Sequence, residues 1–202
     1  HDVSRSESAF SYREHLKIPP NGVIALYSGN MGAKQGLEIL GHVARKFQGA
    51  GESLVHFVFC GDGIGREKLV EQCKNLNYVH FVDLQPAENL ARFLAMADIH
   101  LLPQRADASD LVMPSKLTGM MASARPVLVG AHVGTELANV VQYCGLVVPP
   151  ENPQDFYEAL LTLISDKALR DRLGMAGFKY AINNLDRDRI LLSFESKLKE
   201  II

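Results

Sequence analysis

The sequence predicts an α/β fold, in which a doubly wound parallel sheet of six strands is followed by a helical C-terminal tail. Short apolar runs alternate along the chain with amphipathic stretches of helical period. The runs are apolar throughout, as expected of strands that helices cover on both faces. Helices between consecutive strands give right-handed crossovers, and therefore a parallel sheet. No internal repeat or low-complexity linker interrupts this order, so we expect one such domain.

Each element follows from the local pattern. The apolar runs predict strands at residues 23–28, 54–60, 79–82, 98–102, 126–129 and 145–148. The amphipathic stretches predict helices at residues 36–47, 66–76, 87–96, 114–123 and 134–141. Pro86 is predicted to occupy the first helical position before residue 87. After Pro149 and Pro150 the chain is predicted to be helical, at residues 153–165, 167–183 and 186–202, with Asp166 and Asp186 as N-caps.

Composition narrows the function classes. The net charge of −2 gives no basic excess of the kind that nucleic-acid-binding domains carry, so no nucleic-acid partner is expected. No apolar run approaches the ~20 residues that a membrane-spanning helix needs. Cys60, Cys73 and Cys144 form no C-x-x-C pair and no zinc-type cluster with histidine. We expect them to be reduced, half-buried thiols in a cytosolic protein.

Three regions follow from this pattern. Residues 1–20 are predicted to be a polar N-terminal or interdomain segment, residues 21–183 to hold the sheet with its helices, and residues 184–202 to be a last helix. The chain begins His1-Asp2-Val3 without Met, and we expect it to be a piece of a longer chain.

In doubly wound sheets, ligands bind beyond the carboxyl ends of the strands, and the loop after the first strand has features that suit an anion. The stretch SGNMGAKQG at residues 28–36 has Gly29 and Gly32, which let the backbone approach a ligand. A following helix N-terminus and the ammonium of Lys34 would attract a phosphate. The order of a Walker loop is absent. The alternative is a tight turn with a solvated lysine.

The loops after the second and third strands are less specific. GDGIGR at residues 61–66 resembles a dinucleotide fingerprint, with Asp83 about twenty residues further on. Arg66 replaces the final glycine, however, and the loop follows the second strand instead of the first. A glycine-rich turn is the favoured interpretation, and phosphate contact by Gly61 is the alternative. The backbone of residues 82–84 can hydrogen-bond a base edge, or Asp83 can simply flank the next helix.

The loop after the fourth strand is the most informative. A polar stretch that includes Asp110 leads directly into a helix whose first turn carries Ser115 and Lys116. A lysine in a first turn opposes the helix dipole, and a bound pyrophosphate would explain its presence. The alternative is an exposed lysine without a partner. After the fifth strand, His132 either faces a sugar or is solvated.

Together these motifs resemble the C-terminal domain of a GT-B glycosyltransferase of the large retaining family 4, group 1. The resemblance covers residues 23–161 and consists of an ordered set: SGNMGAKQG, VFCGDGIGREKL, HFVDLQPAENL, ADIHLLP, MPSKLTGMMASARPVLV, GTELANVV and GLVVPPENPQDFYEAL. The variant P-S-K-L-T is most similar to bacterial exopolysaccharide enzymes, and among these to the colanic-acid-type fucosyltransferases. The resemblance implies a Rossmann-like, nucleotide-sugar-binding domain at residues 21–183.

The resemblance also implies roles for individual residues. Lys34 matches the lysine that binds the donor pyrophosphate, and Gly29 and Gly32 shape its loop. Asn30 falls where many members have an arginine. The nucleotide base would be held by Val82, Asp83 and Leu84. The β-phosphate would meet the first turns of the next helix, at Ser115, Lys116, Leu117 and Thr118.

Two glutamates of the family pattern are missing here. The position of the one on the ribose falls on Gly119, where Thr118 would replace part of the contact. Asp110 is the best substitute for the glutamate near the donor sugar, although its spacing differs by one residue. These departures concern the identity of the donor sugar more than the phosphate site.

What the resemblance implies for activity is transfer of a sugar from a GDP- or UDP-sugar, with retention, in bacterial exopolysaccharide or lipopolysaccharide biosynthesis. Lys34, Lys116 and helix N–H groups would stabilise the leaving pyrophosphate without a metal ion or other cofactor. The catalytic side chain and the site for a sugar or lipid-linked acceptor would lie in an N-terminal domain, toward which residues 184–202 would pack. The fragment alone would then be inactive or slow. The full-length protein would work in the cytoplasm, either free or bound peripherally at the cytoplasmic face of the inner membrane.

Three alternatives stay open at this point. The first is an NAD-dependent dehydrogenase domain, and the second is a non-catalytic doubly wound binding module. A different GT-B enzyme, such as a sugar-nucleotide epimerase, would share the phosphate site, and fold alone does not separate these.

Overall fold

The structure, a computed structural model, describes residues 12–49, 55–108 and 114–185. Its six strands are β1 Val23–Ser28, β2 Val55–Cys60, β3 Val79–Val82, β4 Ile99–Leu102, β5 Val127–Gly130 and β6 Gly145–Val148. They form one parallel sheet in the order β3-β2-β1-β4-β5-β6. The predicted doubly wound, Rossmann-like sheet is therefore confirmed.

The strand order reverses between β1 and β4, and the pairing there is short. β1 pairs with β2 along its whole length, from Val23 to Ser28. With β4 it pairs only at Ala25 and Leu26, although both strands continue toward their carboxyl ends. The reversal of strand order between β1 and β4 is a topological switch point, which is the place where open α/β sheets form a ligand crevice.

In the described residues, seven α-helices follow β1 and cover the sheet. They are α1 Glu38–Lys46, α2 Arg66–Gln72, α3 Ala87–Ala95, α4 Ser115–Ala122, α5 Glu136–Val141, α6 Pro153–Ser165 and α7 Lys167–Asn184. The largest apolar cluster contains Phe47, Phe57, Phe59 and Phe156, and it packs α1, α2 and α6 on one face. The opposite face packs against α3, α4 and α5.

Three helix boundaries differ from the sequence prediction. The helix predicted at 36–47 begins only at Glu38, because Gly36 has a φ of 63° and ends the preceding 3-10 turn Ala33–Gln35. The helix predicted at 66–76 ends at Gln72, with Asn75 in the left-handed region. Pro86 is the N-cap of α3 and not its first residue, since its ψ of 148° is extended.

Side-chain caps are found on α5, α6 and α7. Thr135 accepts from Ala138 N, and Asn152 accepts from two backbone N–H groups at the start of α6. Asp166 accepts from Leu169 N at 2.8 Å, which confirms it as an N-cap. By contrast, α1 to α4 begin without a side-chain cap. The N-terminal N–H groups of those four helices are not satisfied by a cap side chain.

The described C-terminal part is helical, as predicted, and α7 lies close against the end of α4. A Cβ on Gly174 would be 2.2 Å from Ala124 O, and one on Gly177 would be 3.0 Å from Cys144 Cβ. The predicted helix at 186–202, with its N-cap Asp186, and residues 1–11 lie outside the described residues. All three cysteines are free, but they are buried and not half-buried as expected, because each lies within an apolar cluster.

His100 is a fully buried polar residue on β4. Its Nε2 lies 2.9 Å from Ser123 Oγ, whose own hydrogen is donated to Met120 O. Nε2 must therefore carry the hydrogen and donate to Ser123. Burial, with a smaller effect of the Arg125 charge, lowers the pKa of His100 to about 3.

We predict that this histidine makes the fold sensitive to acid. In the unfolded chain His100 takes up a proton near pH 6.5, whereas the native state excludes it until about pH 3. The free energy of unfolding should therefore fall as the pH decreases from 6.5 toward 3, by as much as roughly 4 kcal/mol from this group. His100→Gln should be less stable at pH 7 but should show a shallower decrease. Urea unfolding at pH 7, 5 and 4 measures both slopes, and equal slopes would contradict the assignment.

Candidate functional site

The candidate site lies at the carboxyl ends of β1 and β4, where the strand order reverses. The loop after β1 is closed by Tyr27, whose Oη donates to Asn30 O at 2.6 Å. Its backbone also bonds the next loop, because Met31 N donates to Asp62 O at 2.8 Å. The two loops therefore form one rigid unit beside the crevice.

The glycines after β2 provide the surface on which the first loop packs. A Cβ on Gly61 would be 1.9 Å from Gly29 O, and one on Gly63 would be 2.8 Å from Met31 O. Gly65 N donates to Met31 O at 2.8 Å. The missing side chains thus admit the backbone of the neighbouring loop, which supports the interpretation as a glycine-rich turn.

Lys116 stands in the first turn of α4, but it is half-buried instead of exposed. Its Nζ donates to Gln35 Oε1 at 3.0 Å and lies 3.5 Å from Tyr27 Oη. The ammonium also lies over the Tyr27 ring, 4.6 Å from its centroid. A Cβ on Gly29 would be 3.7 Å from Nζ. Burial lowers the pKa of Lys116 to about 8.

Other predicted phosphate contacts lie around this ammonium. Lys34 is exposed on the 3-10 turn, and its ammonium has no hydrogen bond or ion pair with another described residue. Ser115 and Thr118 are exposed on α4. Leu117 is buried in the cluster beneath α4, so its side chain faces the core and only its backbone can contact a ligand.

Positively charged groups lie at the carboxyl ends of β1 and β4. The 3-10 turn begins at Ala33 and α4 begins at Ser115, and neither has a side-chain cap. Both therefore present free N–H groups and the positive end of a helical dipole. Lys34 and Lys116 add two cations, and no described carboxylate forms an ion pair with either. The arrangement suits a diphosphate.

The loop after β3 uses its carbonyl groups internally. Val82 O accepts from Gly61 N at 3.1 Å. Asp83 O accepts from Cys60 Sγ and from Gln85 Nε2. The Asp83 carboxylate is exposed and lies 3.4 Å from the Arg66 guanidinium. A base held here would therefore be contacted through N–H groups and side chains, such as the exposed Leu84.

The structure brings part of the predicted site together. Lys116, Gly29 and the turn that carries Lys34 meet in the crevice, whereas β3 is two strand spacings, about 10 Å, from β1. Gly119 lies against Leu94 of α3, His132 is exposed, and Asp110 lies outside the described residues. Sequence reasoning missed Gln35 and Tyr27. The only signals were a polar residue next to Lys34 and an aromatic hydroxyl near the end of an apolar strand.

A family model described as glycosyl transferases group 1 matches residues 9–180. The chain belongs to this family. WcaI of Escherichia coli (strain K12), which is named as a colanic acid biosynthesis glycosyl transferase, is 33% identical over 190 residues, 93% of this chain and 46% of WcaI. The D-inositol 3-phosphate glycosyltransferase of Corynebacterium efficiens is 26% identical over 180 residues, 85% of this chain and 41% of that enzyme. The chain thus spans about half the length of these curated relatives.

Solved glycosyltransferases share the fold. HepE of Anabaena, in complex with UDP-glucose, matches with a TM-score of 0.79 at 16% identity, over 96% of this chain and 53% of that chain. The C-terminal domain of LpcC, a group 1 family protein of Francisella tularensis, matches with a TM-score of 0.71 at 16% identity, over 91% of this chain and 93% of that domain. The fold is therefore that of the C-terminal half of a GT-B glycosyltransferase.

Two kinds of feature, a metal-binding cluster and a membrane-spanning helix, are absent from the described residues. No group of three or more His, Cys, Asp or Glu side chains is arranged to hold a metal ion. In the same part of the chain, every helix is too short or too polar to cross a membrane.

We predict that the contact between Gly61 and Gly29 cannot accept a side chain. Gly61→Ala should lower the free energy of unfolding by roughly 3 kcal/mol or more, since it adds a clash with Gly29 O to the strain of a φ of 146°. The matched control is Gly134→Ala, which has a φ of 91° but open space around it, and which should cost only roughly 1–2 kcal/mol. Urea unfolding measures both, and equal losses would show that packing between the loops is not the constraint.

Proposed function

We propose that this chain is the donor-binding domain of a bacterial glycosyltransferase and that it binds a nucleoside-diphosphate sugar at the β1–β4 crevice. The observation that carries the proposal is the ammonium of Lys116, held beside Gly29 on the same edge as Lys34. The 3-10 turn after β1 and the helix α4, which both begin without a side-chain cap, border this crevice. Cations and free N–H groups on one crevice are the features that bind phosphates.

The relatives support the substrate class. HepE is described in complex with UDP-glucose, WcaI is named for colanic acid biosynthesis, and the corynebacterial enzyme is named for glycosyl transfer to an inositol phosphate. For this chain we infer a GDP- or UDP-sugar donor and a role in exopolysaccharide or lipopolysaccharide biosynthesis. The acceptor would be a sugar or a lipid-linked sugar.

The proposed chemistry follows from where charge develops. As the bond from the sugar C1 to the β-phosphate oxygen breaks, the electron pair passes to the diphosphate. Lys34, Lys116 and the N–H groups of the first turn of α4 would stabilise that charge, and each such donor is typically worth roughly 2–4 kcal/mol in a transition state. With these donors we propose a metal-independent transfer with retention and without a further cofactor. The base would lie at residues 82–84, and Asp110 is proposed to contact the donor sugar.

The remaining parts of the reaction are assigned to an N-terminal half. The catalytic side chain and the acceptor site are proposed to lie there, and residues 184–202 to pack toward it. We also propose a cytoplasmic location for the full-length protein, with peripheral association at the inner membrane face where a lipid-linked acceptor would be reached.

Two of the three alternative functions, the dehydrogenase domain and the non-catalytic module, are less well supported than before. The glycine pattern that suggested an NAD-dependent dehydrogenase packs beneath the first loop. Membership in the glycosyltransferase family argues against a non-catalytic module without a small ligand.

Calorimetric titration of the chain with GDP, UDP and NAD tests the proposal. We expect GDP or UDP to bind, and Lys34→Ala to weaken that binding about tenfold, or by about 1.4 kcal/mol, because it removes a phosphate cation. The matched control is Lys74→Ala. Lys74 is an exposed lysine that pairs with Glu71 and precedes β3, so it lies toward the amino ends of the strands, away from the crevice. Binding of NAD alone, or equal effects of the two substitutions, would contradict the proposal.

We also predict that the chain binds its donor without transferring the sugar. Glycosyl transfer should be at least a hundredfold slower than in a two-domain enzyme, because the acceptor and its catalytic group are held by the other half. The measurement is product formation from the bound UDP- or GDP-sugar with simple sugar acceptors. Appreciable transfer by this chain would show that the catalytic group lies within it.

A further inference from the structure

The ammonium of Lys116 is held by neutral partners in a half-buried position. An ammonium group has three N–H donors. One is directed to Gln35 Oε1 at 3.0 Å and a second to Tyr27 Oη at 3.5 Å. The Tyr27 hydroxyl gives its own hydrogen to Asn30 O, so toward Lys116 it acts only as an acceptor. Among the described residues, no acceptor takes the third N–H.

The position of this charge needs an explanation. A cation in the first turn of a helix is opposed by the helix dipole, and burial of an ammonium is unfavourable unless an anion balances it. The stem crosses the loop after β1, where a Cβ on Gly29 would be 3.4 Å from Lys116 Cδ. The ammonium therefore faces the bare backbone of that loop in the crevice.

The partners of Lys116 are themselves fixed. Tyr27 is fully buried on β1. Gln35 ends the 3-10 turn, and the following Gly36 packs against the backbone of Gln104, which a Cβ would approach to 3.0 Å. Both partners thus belong to rigid parts of the loop and sheet, whereas the lysine stem is flexible.

We propose that Gln35 and Tyr27 are positioning residues, which hold the ammonium of Lys116 in the β1–β4 crevice with one N–H free for the donor diphosphate. This inference rests on the proposed function. It assigns Gln35 a role that depends on Lys116, and it makes the protonation state of Lys116 part of donor binding.

The proposal predicts a dependence on alkaline pH. Burial lowers the pKa of Lys116 to about 8, and only the charged form attracts a diphosphate. The bound anion favours the charged form, so binding takes up a proton, and the association constant should fall by up to about tenfold per unit above pH 8. Phosphate groups are fully ionised well below this range.

Among the described residues, the side chains that contact Lys116 stay neutral over this pH range. From β1 the titratable group is Tyr27, and burial raises its pKa, so it stays neutral. From the 3-10 turn the contact is the neutral Gln35, and Lys34 next to it is exposed. On α4 the adjacent Ser115, Leu117 and Thr118 do not titrate.

The experiment is calorimetric titration of the chain with UDP and GDP between pH 7 and 9.5. Lys116→Met should bind at least tenfold more weakly at pH 7 and lose the alkaline decrease. Lys116→Arg should keep binding without the decrease, since a guanidinium stays charged. Gln35→Leu should move the decrease to lower pH, and Gln35→Glu should move it to higher pH by favouring the ammonium. Lys74→Met is the matched control, and circular dichroism confirms that each variant folds.

The outcomes separate this inference from the proposed function. If Lys34→Ala weakens nucleotide binding but Lys116→Met does not, the donor site stands and the role of Lys116 is wrong. If both Gln35 variants keep the pH profile of the unaltered chain, Gln35 does not position the ammonium. If neither UDP nor GDP binds the unaltered chain, the proposed function and this inference both fail.

Discussion

The close contact between the loops after β1 and β2 is the constraint on which the candidate site depends. A Cβ on Gly61 would be only 1.9 Å from Gly29 O. The backbone N–H and C=O groups of Met31 both form hydrogen bonds with the loop after β2. The loop after β2 therefore fixes the backbone of the loop after β1 without any bound ligand. Because its backbone is fixed, the turn that carries Lys34 and Gln35 has a defined position beside β1, and the side chain of Lys116 meets a surface that already exists.

The sheet adds the space into which these groups point. The strand order reverses between β1 and β4, whose ladder includes Ala25 and Leu26 of β1. The crevice between them is bordered by the first loop on one side and the first turn of α4 on the other. The helix α4 at this border begins without a side-chain cap, as α1, α2 and α3 also do, whereas α6 and α7 are capped by Asn152 and Asp166.

Much of the fold could be predicted from the sequence, because every strand is an apolar run with clear ends. Predicted boundaries were wrong where a single backbone angle decides, as at Gly36, whose left-handed conformation delays the start of the predicted helix to Glu38. At the site, the residue types could be predicted from the sequence better than the directions in which their side chains extend. A first-turn lysine reaches either solvent or the sheet, and only the packing shows that Lys116 lies over Tyr27. The local signal for Gln35 was only its polarity next to Lys34, because its contact is with a residue 81 positions away.

The close packing of α7 has a consequence for how the chain folds during synthesis. Gly177 lies against Cys144 and Met121, and Gly174 lies against the turn at Ala124. All six strands precede α7 in the chain, so a nascent polypeptide can complete the sheet while the apolar underside of α4 is still uncovered. The helix that presents Lys116 acquires its last support only when α7 has left the ribosome.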